Sequence, residues 1–195
     1  MRAVKKMLVE VKNPFVEETK GGIILLEKME TTQKAVQYGT VVGVPKQFKD
    51  KVDVGDTLVF HFNIVVFSIG KKGEKIPSGY YLQNDIYSVP DDMVHLVIKP
   101  DGQMIMLGEW NLVTPVEKEE EVTESGIIIA LNNNKAENRK EEMKGIIECP
   151  NEYFGDSLKK GDVVVLGTFA DYEVTLPDER VMWMVYNRTI LGKHD

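Results

Sequence analysis

The residue types most often used for acid–base, nucleophilic or metal chemistry are few in this 195-residue chain: three histidines, His61, His95 and His194, and one cysteine, Cys149. A lone histidine in an alternating strand pattern, as at His61, is more typical of a structural role than of a catalytic one. A single cysteine allows neither an intrachain disulfide nor a cysteine-based zinc site, and Cys149 is predicted to be a small buried residue. The sequence contains none of the short motifs of nucleophile-elbow hydrolases, zinc proteases or P-loop proteins. We therefore expect no enzyme activity, no cofactor and no metal site.

Two short apolar stretches, each introduced by glycine, are the strongest candidates for a binding site. They are Gly22, Ile23, Ile24, Leu25 and Leu26 in the first half, and Gly126, Ile127, Ile128 and Ile129 in the second half. Such a run is typical of a buried strand, but it also suits a segment that becomes ordered only when it docks on another protein. The glycines would let either segment change its backbone conformation on docking.

Composition and charge argue against several other partners. The net charge is −7 and the pI is about 5.1, with lysines scattered among glutamates, so a nucleic-acid partner is not expected. No run approaches eighteen consecutive apolar residues, and the first twelve residues alternate in character, unlike a signal peptide. One cysteine fits a reducing compartment. We expect a cytoplasmic protein without a membrane partner.

The elements that must position the two apolar stretches are predicted to be short β-strands. β-branched and apolar runs recur between Gly, Pro and Asp turn signals, with almost no helical periodicity before residue 131. The predicted strands are 3–11, 38–44, 57–62, 94–98 and 103–107, with a further hairpin whose tip is 70–73 and whose return arm is 79–82. This pattern predicts an all-β barrel or sandwich.

The second half of the sequence repeats the first, which predicts two related domains. The matched pairs are 20–25 with 124–129 at an offset of 104, 54–59 with 160–165 at 106, 90–94 with 177–181 at 87, and 106–108 with 190–192 at 84. The drop from 106 to 87 places about nineteen extra residues within 63–89. The prediction is a domain at 1–108, with an insertion at about 63–89, followed by a second domain at 109–195.

The first repeat resembles the GroES-type co-chaperonins. An N-terminal strand is followed by E-T-K-G-G-I-I-L at 18–25, a strand ending at V-G-V-P and a V-G-D turn into an apolar strand. The residues that carry the resemblance are Val16, Glu18, Thr19, Lys20, Gly21, Gly22, Ile23, Ile24, Leu25, Gly39, Val41, Val44, Gly55, Asp56, Val59 and Phe60. It covers most of 3–107 and extends more faintly over 109–192.

The resemblance implies a fold and a function. It implies two tandem GroES-like irregular β-barrels, self-association into a ring, and apolar mobile loops that dock on a GroEL-type chaperonin. Ile23–Leu25 would be the docking tripeptide of the first domain, and Ile127–Ile129 that of the second. The chain would then cap the chaperonin ring and assist ATP-dependent protein folding, with ATP bound by the partner. A tandem form without a targeting sequence would suit a phage-encoded co-chaperonin in the host cytoplasm.

The alternative interpretation is structural. A GroES-like ring or coat protein, for example a virion assembly component, would have no chaperonin partner. It would bury the same apolar stretches at subunit contacts. Nucleotide-dependent capture by a chaperonin distinguishes the two interpretations, because only a co-chaperonin should be captured.

Overall fold

The computed structural model describes residues 3, 5–14, 35–72, 74–117, 140–167 and 171–194, which form two compact units. The first unit comprises the described residues of Met1–Gly108 together with Thr175–Arg180. The second comprises those of Glu109–Val174 and Val181–Asp195. Among the described residues, no helix has the length and hydropathy needed to cross a membrane.

Nine strands lie in the described part of the first unit. They are β1 (Met7–Glu10), β2 (Tyr38–Gly43), β3 (Thr57–Phe60), β4 (Ser68–Ile69), β5 (Lys75–Ile76), β6 (Tyr81–Gln83), β7 (Ile86–Val89), β8 (Val94–Ile98) and β9 (Met104–Met106). Seven of them form one antiparallel sheet in the order β6-β7-β1-β2-β3-β8-β9, while β4 and β5 pair as a separate hairpin. Short 3-10 helices at Lys46–Phe48, Phe62–Ile64 and Asp91–Met93 connect the strands.

The core of the first unit is built by side chains that alternate along these strands. Met7 and Val9 of β1 belong to the same buried cluster as Val41 of β2 and Leu58 and Phe60 of β3. Each of these side chains is fully buried. Because successive residues of a strand point to opposite faces, one face of the sheet receives this apolar set. Burial of such side chains stabilises a fold by about 1.5–3 kcal/mol each.

Six strands lie in the described part of the second unit. They are β10 (Trp110–Glu117), β11 (Lys140–Cys149), β12 (Val163–Leu166), β13 (Asp171–Thr175), β14 (Val181–Tyr186) and β15 (Ile190–His194), with 3-10 helices at Glu152–Ser157 and Asn187–Thr189. They form one sheet in the order β13-β14-β10-β11-β12-β15. Its core cluster includes Val113, Ile147, Val164, Trp183 and Val185.

The two sheets share one strand order and one register. Strands β13-β14-β10-β11-β12-β15 take the places of β6-β7-β1-β2-β3-β8. The register shifts between Leu8 and Val9 of β1, and it shifts at the equivalent step, between Leu112 and Val113, of β10. The offset in residue number is 104 for β1 and β10, 106 for β2 and β11 and for β3 and β12, and 96 for the later strands.

This register corrects two of the four sequence matches. Ile190 pairs with Leu166 as Val94 pairs with Phe60, so 190–192 corresponds to 94–96 and not to 106–108. Residues 177–180 form the turn between β13 and β14, whereas Pro90 precedes a 3-10 helix. Proline followed by acidic residues suits both kinds of turn, which is why the match misled. The offset falls from 106 to 96, so the first unit has ten extra residues between β3 and β7, not nineteen.

The all-β prediction is confirmed, but the predicted barrels and one predicted hairpin are not. Within the described residues both sheets are open, with edges at β6 and β9 in the first and at β13 and β15 in the second. The return arm of the 70–73 tip is β5 and not 79–82. Tyr81 instead begins a second hairpin, in which Asn84 and Asp85 have φ of 48° and 59°. Two consecutive left-handed residues are typical of a tight hairpin turn, and Asn and Asp tolerate that conformation.

Candidate functional site

The predicted docking residues lie outside the described part of the chain. Gly22, Ile23, Ile24, Leu25 and Leu26 fall within 15–34, and Gly126, Ile127, Ile128 and Ile129 fall within 118–139. The structure does describe the strand pairs that these two segments connect. Segment 15–34 runs from β1 to β2, and segment 118–139 runs from β10 to β11. Since β10 and β11 take the places of β1 and β2, both segments arise from the same point of the fold.

Backbone hydrogen bonds hold together the two ends of the first segment. After β1, the Val11 amide donates to the carbonyl of Asp85 over 2.8 Å. Before β2, the Val36 amide donates to the carbonyl of Pro14 over 2.9 Å. The carbonyl of Gln37 accepts from the Phe60 amide over 2.9 Å, which ties the returning chain to β3. Segment 15–34 therefore begins and ends at neighbouring points anchored in the first sheet.

The second segment has a comparable base. Glu117 pairs with Lys140, and Pro115 pairs with Gly145, with a register shift between these two pairs. Met143 lies in the unpaired stretch with a φ of 64°. A β-bulge with a left-handed residue bends and twists a strand, so the end of the β10–β11 hairpin is turned relative to the rest of its sheet.

A glycine on the returning strand lets each strand pair approach closely. A Cβ on Gly39 would lie 2.7 Å from the carbonyl oxygen of Glu10 and 2.8 Å from Cγ2 of Val11. A Cβ on Gly145, the equivalent residue, would overlap Cγ1 of Val113 and lie 3.3 Å from the carbonyl oxygen of Thr114. Only glycine fits such a separation without a shift of the neighbouring strand.

The V-G-D turn and its counterpart fix the other end of β2 and β11. Gly55 and Gly161 have φ of 100° and 91°, and their amides donate to the carbonyls of Val41 and Ile147 over 2.9 and 2.7 Å. The predicted tight turn at 54–56 is confirmed. Both units thus hold in the same way the strand that follows segment 15–34 or 118–139.

A carboxylate stabilises each of these turns. Asp56 accepts from the Asp53 amide over 2.7 Å, and Asp162 accepts from the Lys159 amide over 2.8 Å. Nζ of Lys99 lies 2.8 Å from Oδ2 of Asp56. Its hydrogen bond to Asp56, and to a smaller degree that to Asp53, raises the pKa of the lysine. In the second unit, the hydrogen bond from Lys193 lowers the pKa of Asp162.

Two of the three histidines are neighbours, since the ring centroids of His61 and His95 lie 6.0 Å apart. His95 is fully buried in β8, and burial lowers its pKa to about 3. His61 is half-buried, its Nδ1 accepts from the Asn63 amide over 3.2 Å, and burial lowers its pKa. His194 is exposed at the end of β15, and Cys149 is buried, as predicted for the cysteine. Within the described residues, no three His, Cys, Asp or Glu side chains come together as a metal site requires.

A buried polar pair in the second unit was not predicted from the sequence. The backbone amide of Asn151 donates to Oδ1 of Asn111 over 2.7 Å, and the side-chain Nδ2 of Asn151 donates to the carbonyl of Trp110 over 3.0 Å. By the register, these asparagines take the places of Met7 and Pro45. Fully bonded buried amides fix one arrangement of the chain. The signal was present in the sequence as two asparagines at positions that the first repeat fills with apolar residues.

Comparison with known proteins concerns the second half of the chain. Residues 103–194 match the family Cpn10, described as the chaperonin 10 Kd subunit. The matched range spans all six strands of the second unit. A search of the curated proteins found no match. The segment from 103 to 194 is therefore similar to the chaperonin 10 subunit and corresponds to one GroES-type domain.

Proposed function

We propose that this chain is a co-chaperonin that caps a GroEL-type chaperonin ring and assists ATP-dependent protein folding. The observation that supports the proposal most is the match of residues 103–194 to the chaperonin 10 family. In that assignment the chain carries no catalytic residues of its own, and the partner binds ATP. It would act in the cytoplasm, where unfolded chains and chaperonins meet.

We also propose that the chain contains two GroES-type domains in tandem, 1–108 and 109–195. The strand order and register of the first sheet are those of the second, and the second lies within the family match. If the second sheet is of the GroES type, its equivalence to the first supports the same assignment for both.

The proposed docking residues are Ile23, Ile24 and Leu25 in the first domain and Ile127, Ile128 and Ile129 in the second. Burying three such side chains stabilises a complex by about 4.5–9 kcal/mol before costs, at about 1.5–3 kcal/mol each. Ordering a segment on binding costs about 2–5 kcal/mol. Loss of translational and rotational freedom costs more. A single tip would therefore bind weakly.

Self-association into a ring would make these weak contacts sufficient. A ring presents several tips at once, so binding of the first raises the effective concentration of the others. The same arrangement lets the cap leave when the partner changes conformation, because the avidity depends on matched geometry. Two equivalent strand pairs per chain, each carrying one tip, would contribute two docking points to such a ring.

The substitution Ile24→Asp tests the first docking site. A charge in an apolar groove is costly, so Ile24→Asp should abolish capture by a chaperonin. It should leave the fold intact, since a docking residue is exposed in the free protein. The matched control is Ile76→Asp, because Ile76 is an exposed isoleucine of the first unit outside the docking segment. Capture is measured by co-sedimentation, and folding by circular dichroism.

Ile128→Asp should reduce capture to a smaller degree than Ile24→Asp. Two outcomes would contradict the site assignment. If Ile24→Asp unfolds the first unit, Ile24 is a core residue. If it retains both the fold and full capture, the tip does not bind the partner.

A further inference from the structure

His61 lies at the start of a connection that is long in the first unit and short in the second. It directly follows β3, and residues 61–80, which contain the β4–β5 hairpin, connect β3 to β6. In the second unit, residues 167–170 connect β12 to β13. β4 and β5 pair with each other and not with the seven-stranded sheet. We call residues 61–80 the inserted connection.

The backbone at this point is common to both units, but the side chain is not. By the register, Gly167 takes the place of His61. The His61 amide donates to the carbonyl of Met93 over 3.0 Å. The Gly167 amide donates in the same way to the carbonyl of Thr189 over 2.8 Å. The fold therefore does not need a histidine here, which points to a role of the imidazole in the inserted connection.

The side chain of His61 caps the first turn of the inserted connection. Its Nδ1 accepts a hydrogen bond from the Asn63 amide over 3.2 Å at the start of the 3-10 helix at Phe62–Ile64. The backbone carbonyl of His61 accepts from the Ile64 amide over 3.1 Å. A ring nitrogen of histidine accepts a hydrogen bond only while it carries no proton. The cap therefore exists only while Nδ1 of His61 is unprotonated.

The capped turn ties the inserted connection to the core of the first unit. Ile64 and Val65 are buried and belong to the core cluster of that unit. Ser78, close to the other end of the inserted connection, donates a hydrogen bond from its hydroxyl group to the carbonyl of Ile64. The turn is thus one of the contacts that hold both ends of the inserted connection in place.

Of the two neighbouring histidines, His61 takes up a proton first. Burial lowers the pKa of His95 to about 3, so this ring stays neutral in mild acid. Burial also lowers the pKa of the half-buried His61, and the carboxylate of Asp92 opposes part of that shift. When the turn opens, water reaches His61 and its pKa returns towards the ordinary 6.5. The opened form then holds the proton more tightly than the closed form, so opening becomes easier as the pH falls below 6.5.

We propose that His61 is a proton-operated latch, which holds the inserted connection closed at neutral pH and opens its first turn in mild acid. The proton binds at Nδ1, where it removes the acceptor of the Asn63 amide. Opening would expose Ile64 and Val65, which the closed form buries. The second unit has glycine at the equivalent position and lacks this latch. The inference does not depend on the function proposed above.

Hydrogen exchange on the full chain at pH 7.5 and at pH 5.5, corrected for intrinsic rates, tests the latch. The amides of Ile64 and Val65, which donate to the carbonyls of His61 and Phe62, report the turn. Their protection should fall by up to about tenfold at the lower pH, because one group of ordinary pKa binds its proton mainly in the opened form. At both pH values they should be less protected than the amides of β2, which exchange when the whole unit unfolds.

Two substitutions separate opening of the turn from unfolding of the unit. His61→Asn keeps a side-chain acceptor for the cap but cannot titrate, so the turn should stay protected at both pH values. His61→Ser, which also supplies a good cap, is the second variant if His61→Asn is unstable. His95→Leu should leave the pH response of the turn in place, because His61 carries it. His194→Asn, at an exposed histidine of the second unit, is the control.

Three results would overturn the inference. The first is protection of the turn in the wild type that does not change between the two pH values. The second is a full pH response in the variant His61→Asn or His61→Ser. The third is protection of the turn equal to that of β2 at both pH values, since the turn would then open only with the whole unit.

Discussion

At Gly39 and Gly145, a single missing Cβ determines how closely two strands can approach. Gly145→Ala would bring the new methyl group into Cγ1 of Val113, and such overpacking costs about 1–3 kcal/mol. Both tryptophans, Trp110 and Trp183, lie in the second unit, so their fluorescence during urea unfolding reports its stability. We expect a lower midpoint for Gly145→Ala.

The two glycines should differ in whether a second substitution rescues them. Val113→Ala removes the atom that blocks a Cβ at Gly145, so the double variant should recover part of the lost stability. Val11→Ala should not rescue Gly39→Ala, because the carbonyl oxygen of Glu10 would still lie 2.7 Å from the new Cβ. Equal rescue at both sites would show that the side chains, and not the strand backbone, set the separation.

His95 should make the first unit sensitive to acid. Burial lowers its pKa in the folded protein to about 3, so it stays neutral while the unfolded chain binds a proton below the ordinary value of 6.5. The unfolded state then holds more protons, and stability falls as the pH decreases from 6.5 towards 3, at a slope that approaches about 1.4 kcal/mol per pH unit. His61, whose pKa burial also lowers, adds to the same slope.

The variant His95→Leu isolates this effect. Between pH 6.5 and 5, the free energy of unfolding of the first unit, followed by hydrogen exchange, should fall less steeply in His95→Leu than in the wild type. A wild-type slope in the variant would show that other groups carry the pH dependence.

Among the elements, the two G-D turns have one backbone geometry and different charge environments. The side chain of Asp56 is 3% exposed and bridges the Asp53 amide and Lys99, whereas that of Asp162 is 16% exposed. Asp56→Ala removes a nearly buried carboxylate that accepts from the Asp53 amide and from Lys99, and it should cost about 1–3 kcal/mol. Asp162→Ala should cost less, because water can replace the lost contacts. Thermal unfolding of the two variants checks the order, and a larger loss at Asp162 would contradict it.

The strands were predictable where composition and turn chemistry agree. β2, β8 and β9 were predicted to within one or two residues at each end, because Pro45 and Pro100 follow β2 and β8, and Gly102, whose φ is 88°, precedes β9. The β6–β7 hairpin was missed, since its turn at Asn84 and Asp85 has no glycine and its strands are short. β1 is shorter than predicted and spans Met7–Glu10, because the apolar–polar alternation of the sequence continues beyond the residues that pair with neighbouring strands.

The candidate site, too, could be predicted only in part from the sequence. Its glycine-led apolar stretches could be read from the sequence, since composition alone marks them as unusual for a solvated segment. The close approach at Gly39 and Gly145 could not, because it depends on which residues face each other across strands. Register is a property of paired strands, and a wrong offset of a few residues hides it.

For the whole molecule, repetition of one sheet order matters more than any single residue. Two units with one register present two segments from equivalent strand pairs, which is what a multivalent cap needs. The number of tips that such an assembly offers is set by how many chains associate. Mass photometry of the free protein should therefore give a closed oligomer and not a monomer, and a monomer at all concentrations would remove the avidity on which capture depends.

The most direct test of the account is co-sedimentation of the wild-type chain with its cognate chaperonin, with and without nucleotide. A cap held by several weak tips should bind in the nucleotide state that presents matched grooves, leave in the other, and alter the rate of ATP turnover by the chaperonin. We predict nucleotide-dependent capture. Absence of capture in every nucleotide state would contradict the account and favour a purely structural ring or coat protein.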